Sequence, residues 1–158
     1  MGVSTRGLAA GAALLMVFGL GSSAAAPPRS IAERGVRLAL IRLNGLLARR
    51  DMAILDEFSA SPDTLLVGAE AGERARGREE LERYFADLFA RPEALSFAWR
   101  EVDVSVRGDA AWVHAEGHLV LSVDGYETRT PYRLAGVMEP HGTRWQWRLF
   151  QGNRAPSA

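Results

Sequence analysis

From Leu95 to Asn153 apolar and polar residues alternate with a period of two, interrupted at intervals by glycine-bearing turns. That pattern predicts a long antiparallel meander. Gly108-Asp109 and Asp124-Gly125 suit two-residue hairpin turns, and His141-Gly142 marks a third before Trp145, Trp147, Leu149 and Gln151 alternate to the end. A two-residue turn fixes which residues face each other. In the first hairpin it places Val106 opposite Ala111, Val104 opposite Val113, Val102 opposite Ala115 and Ala98 opposite Leu119. In the second, Leu119 meets Thr130, Gly117 meets Tyr132 and Ala115 meets Leu134. One face of the meander is then almost wholly apolar. The other pairs Asp103 with His114, Glu101 with Glu116, Trp99 with His118 and Glu116 with Arg133. A slip of one residue in any strand would exchange its faces.

Upstream the period changes to that of a helix. In 31–50 Val36, Leu40, Leu43 and Leu47 form one stripe, widened by Ala39 and Leu46. Leu38 and Ile41 lie off it, which predicts a helix covered on more than one side. Asp51 stands where a second, shorter helix would be capped, with Met52, Leu55 and Phe58 as its buried side. Thr64 to Gly68 is a short strand candidate, and Ala69 to Arg76 a charged loop. Gly77 opens a third helix with Glu79 and Glu80 in its first turn, favourable to its dipole. Leu81, Phe85 and Leu88 are its stripe, with Tyr84 and Phe89 beside them, and Arg91-Pro92 ends it. Helices followed by a run of strands make an α+β pattern: three N-terminal helices packed on an antiparallel sheet.

Length and composition then bound the problem. With 158 residues the chain has room for one domain and one core. Formal net charge is zero, so the balance points to no nucleic-acid partner. All 19 cationic side chains are arginine, and the absence of cysteine removes disulfides and thiolate chemistry. Residues 1–26 read separately: Arg6, the apolar run Leu8 to Leu20 and the small residues Ser22 to Ala26 have the form of a secretory signal. Residues 27–30 read as a linker and 31–156 as the domain. Loss of the signal leaves 18 arginines against 19 acids, an exported product expected to have no membrane attachment; the alternative is a retained membrane anchor, for which the apolar run is shorter than the roughly 20 residues a span needs.

Three segments carry a resemblance: GREELERYF at Gly77 to Phe85, GDAAWVHAEG at Gly108 to Gly117, and WQWRLFQGN at Trp145 to Asn153. They resemble the nuclear transport factor 2-like, or SnoaL-like, superfamily over roughly Arg34 to Pro156. The resemblance implies a strongly bent sheet forming a cone-shaped barrel around the helices. It does not imply one activity, because the fold carries isomerases, cyclases, dehydratases and transport factors. Ketosteroid isomerases of the superfamily are associated with a first-helix tyrosine, and 31–50 contains none. Exported relatives often end in His, Ser or an acid before a proline, where this chain has Gln151, Asn153 and Arg154. The resemblance also implies a homodimer through the sheet's outer face, with Trp99, Trp112 and Arg133 as interface candidates.

Candidate chemistry follows from which face is covered. The apolar face should be concave, and its polar exceptions are Arg100, Thr128, Thr130, Tyr132 and Gln151. Trp147 and Tyr84 join them as pocket candidates, and Asp51 and Asp56 as weak catalytic candidates beside Tyr132. On the opposite face Glu101 and Glu116 invite an acid/base reading. Two carboxylates about 5 Å apart repel by roughly 3 kcal/mol at an effective dielectric near 20, but by under about 1 kcal/mol in water. An exposed pair beside Arg133 would therefore be harmless. His114, Glu116 and His118 share a face but stand about 6 to 7 Å apart along the strand, too far to share one ion easily, so no metal is expected. No glycine-rich phosphate loop or nucleophile elbow is present, and no cofactor is expected. The sequence thus favours an exported pocket for a small, largely apolar molecule, with no assignable reaction. The alternatives are an acid/base enzyme using Asp51 or Asp56 as base with Tyr132 or Arg100 polarising a carbonyl, and a dimeric interaction module.

Overall fold

The computed structural model describes residues 30–154. The expected signal, 1–26, lies outside the described residues. Helix α1 (Ile31–Ala48) begins at a reciprocal capping box: Ser30 Oγ accepts from the Glu33 amide while the Glu33 carboxylate accepts from the Ser30 amide. Its predicted stripe is buried. Leu38 and Ile41, however, are 54% and 67% exposed, so α1 is covered on one side only. Among the described residues no helix is long and apolar enough to cross a membrane.

The second helix is a single 3-10 segment, Met52–Glu57, capped by Asp51, whose Oδ1 accepts from the Ala53 amide. The tighter winding buries Ile54 and Leu55 and leaves Met52 partly exposed. Strand β1 (Leu65–Val67) pairs antiparallel with β2 (Arg74–Arg76), so the segment expected to be a loop closes a short hairpin instead. Helix α2 (Gly77–Phe89) follows, then the meander of β3 (Ala94–Arg107), β4 (Ala110–Val123), β5 (Tyr126–His141) and β6 (Arg144–Arg154). The sheet order is β2-β1-β6-β5-β4-β3, with β1 parallel to β6. The helical region packs on the inner face of this curved, unclosed α+β sheet.

Hairpin register follows the turns, with two exceptions of one kind. β4 and β5 pair as expected throughout, including Gly117 with Tyr132 and Glu116 with Arg133. β3 and β4 pair as expected from Arg107 back to Glu101, but Arg100 is then an extra residue without a partner, and Trp99 faces Gly117. Beyond this β-bulge the faces exchange. Trp99, expected outside, turns inward and stacks on Phe97 with ring centroids 4.7 Å apart. Arg100, expected inside, turns outward and meets Glu116 at 3.4 Å. A second bulge falls in β6: Met138 faces Trp147 but Val137 faces Leu149, leaving Arg148 over. Phe150 and Gly152 therefore point inward and Gln151 outward. The last turn is Gly142-Thr143, one residue later than expected, because His141 pairs with Arg144.

Two further sets of contacts fix the helices. Glu57, 1% exposed, accepts from Arg42 of α1 and from Arg144 of β6, tying the 3-10 segment to both. Asn44 donates to the Phe97 carbonyl and accepts from the Phe97 amide, while Arg37 donates to the Val102 carbonyl, so α1 is stitched along the free edge of β3.

The first bulge depends on Gly117. A Cβ there would collide with the Ala98 carbonyl oxygen and come within 2.8 Å of Trp99 Cα. Gly117→Ala is expected to cost about 2–3 kcal/mol, read as a fall in the denaturant midpoint at unchanged slope; an unaltered midpoint would show that the bulge tolerates the methyl group.

Candidate functional site

The helices leave part of the inner face unfilled, and a cavity of about 150 Å³ opens there. Its walls are apolar: Leu43 and Leu47 come from α1, Phe85 and Leu88 from α2, Leu66 from β1 and Phe97 from β3. β4 adds Leu119 and Leu121, and β6 adds Phe150. A cavity of this size is comparable to an apolar void that accepts benzene.

One end is polar. Tyr84 reaches it from α2, where it lies beside the buried stripe and meets Phe85 edge-on at 5.3 Å. Tyr132 reaches it from β5, its ring 5.1 Å from Phe97 and 6.3 Å from Trp99. The Tyr132 hydroxyl occupies the space that a side chain at position 152 would fill, so Gly152 is what gives it room. The β1–β2 hairpin supplies Glu70 and Glu73, and Arg91 and Arg154 complete the rim. Glu73 is folded back against Gly68: the Gly68 amide donates to the Glu73 carbonyl at 2.7 Å, and the Glu70 amide to Glu73 Oε2 at 3.0 Å. The charges pair off, Glu73 with Arg91 at 3.9 Å and Glu70 with Arg154 at 2.5 Å.

Burial first, then the Glu73 carboxylate, push the Tyr84 hydroxyl up to about 12 against an opposing pull from Arg91. Burial, Tyr84 and Glu73 raise Tyr132 in the same direction, opposed by Arg154. Both phenols therefore stay protonated at any ordinary pH and act as donors. Among the described residues neither has a hydrogen-bond partner.

Of the pocket and catalytic candidates named from the sequence, only Tyr84 and Tyr132 line this cavity. Arg100 and Gln151 are placed on the outer face by the two bulges. Thr128 is exposed and Thr130 half-buried, because the hairpin end from Asp124 to Arg129 projects past the helices and is open on both faces. Trp147 is fully buried behind the cavity, packed over Gly136, where a Cβ would come within 2.6 Å of its ring. Asp51 is a cap, and Asp56 faces solvent, paired with Arg78 at 3.2 Å. Neither aspartate reaches the cavity. Trp112 and Arg133 lie on the outer face; Trp99 does not. Glu101 is exposed, and Glu116 is bound by Arg133 at 3.0 Å as well as by Arg100. Among the described residues no group of three His, Cys, Asp or Glu side chains is placed to hold a metal ion. Sequence reasoning missed Glu70, Glu73 and Arg91, which stood in a segment read as loop or just past a helix end, and it named Arg154, at the end of β6, without placing it at the cavity. The Glu-x-x-Glu spacing around Gly72 was the one available signal.

The raised phenol values carry a stability consequence. In the unfolded chain tyrosines ionise near pH 10, while the folded chain holds these protons to higher pH. The stability they contribute is complete below about pH 10 and is lost as pH climbs to about 12 and beyond. Denaturant midpoints measured from pH 9 to 12 are expected to fall across that interval, less steeply in Tyr84→Phe; an equal slope in the variant would remove Tyr84 from the account.

Comparison with known proteins supports this fold. The family model of the SnoaL-like domain matches residues 36–152. Solved structures share the fold at low identity. A candidate dehydratase of the nuclear transport factor 2-like family from Streptomyces avermitilis superposes with a TM-score of 0.66 at 18% identity, covering 78% of this chain and 97% of its own. A candidate calcium/calmodulin-dependent protein kinase II association domain from Xanthomonas campestris gives 0.70 at 20%, covering 85% and 95%. A candidate scytalone dehydratase from Novosphingobium aromaticivorans gives 0.69 at 9%, covering 80% and 85%. No curated protein matches the chain.

Proposed function

This chain belongs to the SnoaL-like domain family, and from that premise we propose that its cavity binds a small, largely apolar molecule of about one ring, with a polar end at Tyr84 and Tyr132. The observation that carries this reading is the pairing of leucine and phenylalanine walls with two phenols that have no partner among the described residues. Apolar walls with a few convergent polar groups are the usual form of a small-molecule site. The paired charges of the rim frame an opening rather than a charged trap. Export remains part of the proposal and rests on the apolar run Leu8 to Leu20.

A second reading, proton-transfer catalysis in the same cavity, is favoured by one observation. Glu73 is the carboxylate whose charge reaches both phenols, so the base would be Glu73 and not Asp51 or Asp56. The dehydratase descriptions of two similar structures agree with that class at the level of fold alone. If it holds, Glu73→Gln abolishes turnover of a bound substrate while leaving its Kd within about threefold; retained turnover removes Glu73 as base.

The binding reading is tested by thermal-shift screening with single-ring aromatic compounds. A binder at about one hundred times its Kd adds about 2.7 kcal/mol of stability and raises Tm by on the order of 10 °C. Leu119→Trp, which fills the cavity, is expected to abolish the rise. Absence of any stabiliser, or an unchanged rise in the filled variant, would overturn the assignment.

A further inference from the structure

A second recess opens where α1, the 3-10 segment and the start of β6 meet, and it shares no lining residue with the inner cavity. We propose that it binds the phosphate group of a phosphomonoester whose organic part is small and apolar; the site stands independently of whatever the inner cavity holds. Its volume is about 480 Å³. Arg42 and Arg49 enter it from α1 and Arg144 from β6, while Ile41 and Leu46 give it an apolar flank.

Charge separates this recess from the inner rim, where each guanidinium meets a glutamate. Here Glu57 alone serves both Arg42 and Arg144, and Asp56 is taken up by Arg78 at 3.2 Å. Arg49 makes no side-chain hydrogen bond or ion pair among the described residues. Four guanidiniums thus stand against two carboxylates, an excess of two positive charges. Donors are left over as well. Arg42 gives its Nε to both oxygens of Glu57, at 3.1 and 3.2 Å, and its Nη2 has no partner although it is out of contact with solvent. The cluster is short of acceptors.

The chain positions these cations before any ligand arrives. Glu57, 1% exposed, holds two of them, and such preorganisation lowers the cost of binding. Arg42, Gly45 and Arg49 follow one another at i, i+3 and i+7, on one face of α1. A Cβ at position 45 would come within 3.2 Å of Arg49 Nη1. Glycine weakens a helix interior, and here it leaves the guanidinium room to lie back over the preceding turn.

A phosphomonoester matches the recess on three counts. It carries close to two negative charges at neutral pH and three acceptor oxygens. Guanidinium forks pair with phosphate oxygens two at a time. Ile41, 67% exposed, lies beside Leu46 to meet an apolar group. A carboxylate or sulfonate would neutralise only half of the excess.

Calorimetric titration at low salt and about pH 7.5 is expected to show phenyl phosphate binding roughly tenfold tighter than benzenesulfonate, which has the same ring and one charge. Inorganic phosphate, without the ring, should also bind more weakly. Arg49→Gln, which breaks no other contact, and Ile41→Glu, which sets a carboxylate at the exposed flank, should each weaken phenyl phosphate roughly tenfold with Tm unchanged. Leu119→Trp, which fills the inner cavity, should leave its Kd within about twofold. No binding of phenyl phosphate, equal binding of benzenesulfonate, or an affinity that survives both Arg49→Gln and Ile41→Glu would overturn the site. Loss of binding in Leu119→Trp with retention in the other two would move the ligand to the inner cavity and overturn it as well. Phosphate groups occur on soluble esters and on lipid headgroups, and phosphatidylcholine vesicles carrying phosphatidate tell the sources apart. Sedimentation with them, abolished by Arg49→Gln, assigns a lipid; a chain left in the supernatant while phenyl phosphate binds assigns a soluble ester, and the phosphate site stands in both cases.

Discussion

A β-strand sends alternate side chains to opposite faces, so a strand that must present two inward residues across a break in that rhythm has to gain or lose one residue. This sheet gains one twice, at Arg100 and at Arg148, and the interior depends on both. The first insertion brings Trp99 inward to join Phe97 in a stack that supports Tyr132. The second turns Phe150 and Gly152 inward, and Gly152 is the floor on which Tyr132 rests. Uninterrupted alternation would put Leu149 and Gln151 in their place and leave the tyrosine hydroxyl no room. At each insertion an arginine spans the kink to an acid, Glu116 at 3.4 Å and Asp63 at 3.7 Å. The kink is also where the strand bends, so sheet curvature and cavity shape share one cause.

The cavity is maintained against a tendency to fill it. By the scale of large-to-small core substitutions, about 24 cal/mol per Å³, an empty space of about 150 Å³ represents roughly 3–4 kcal/mol of forgone packing. That is an upper figure because the mouth admits water. The rest of the interior is dense, with Trp147, Phe58, Ile54 and Leu81 fully buried beside it, and Glu57 fastens the helices through Arg42 and Arg144. Openness is thus confined to one end, where the phenols and the rim charges stand. Sites that keep such a void at some loss of stability are commonly functional.

Much of this architecture was legible in the residues. The Gly108-Asp109 and Asp124-Gly125 turns fixed the registers of β3 with β4 and β4 with β5 near the turns, and the helical stripe of α1 was read residue for residue. The inner position of Tyr132 followed directly from its pairing with Gly117. What failed were faces beyond a bulge, because an inserted residue leaves no mark in an alternating pattern when the residues on either side are themselves aromatic or charged. Trp99, Arg100 and Gln151 were misplaced for that reason alone. Trp147 was misread for a different one: it does face inward, but depth behind the cavity wall is set by helix packing, which local periodicity does not encode. The rim acids were hidden because β2 has only three residues, too short to show a period.

The sheet does not close, and β3 is left with a long free edge whose amides and carbonyls could accept another strand. Open edges of this kind invite pairing between chains, which natural sheets suppress with covers and charges. Here the side-chain amide of Asn44 imitates a neighbouring peptide group at Phe97, and Arg37 occupies the carbonyl of Val102. Two polar residues on a helix thereby act as a false seventh strand. They occupy backbone groups that a strand of another chain would otherwise pair with, and they do so without the backbone of a real strand.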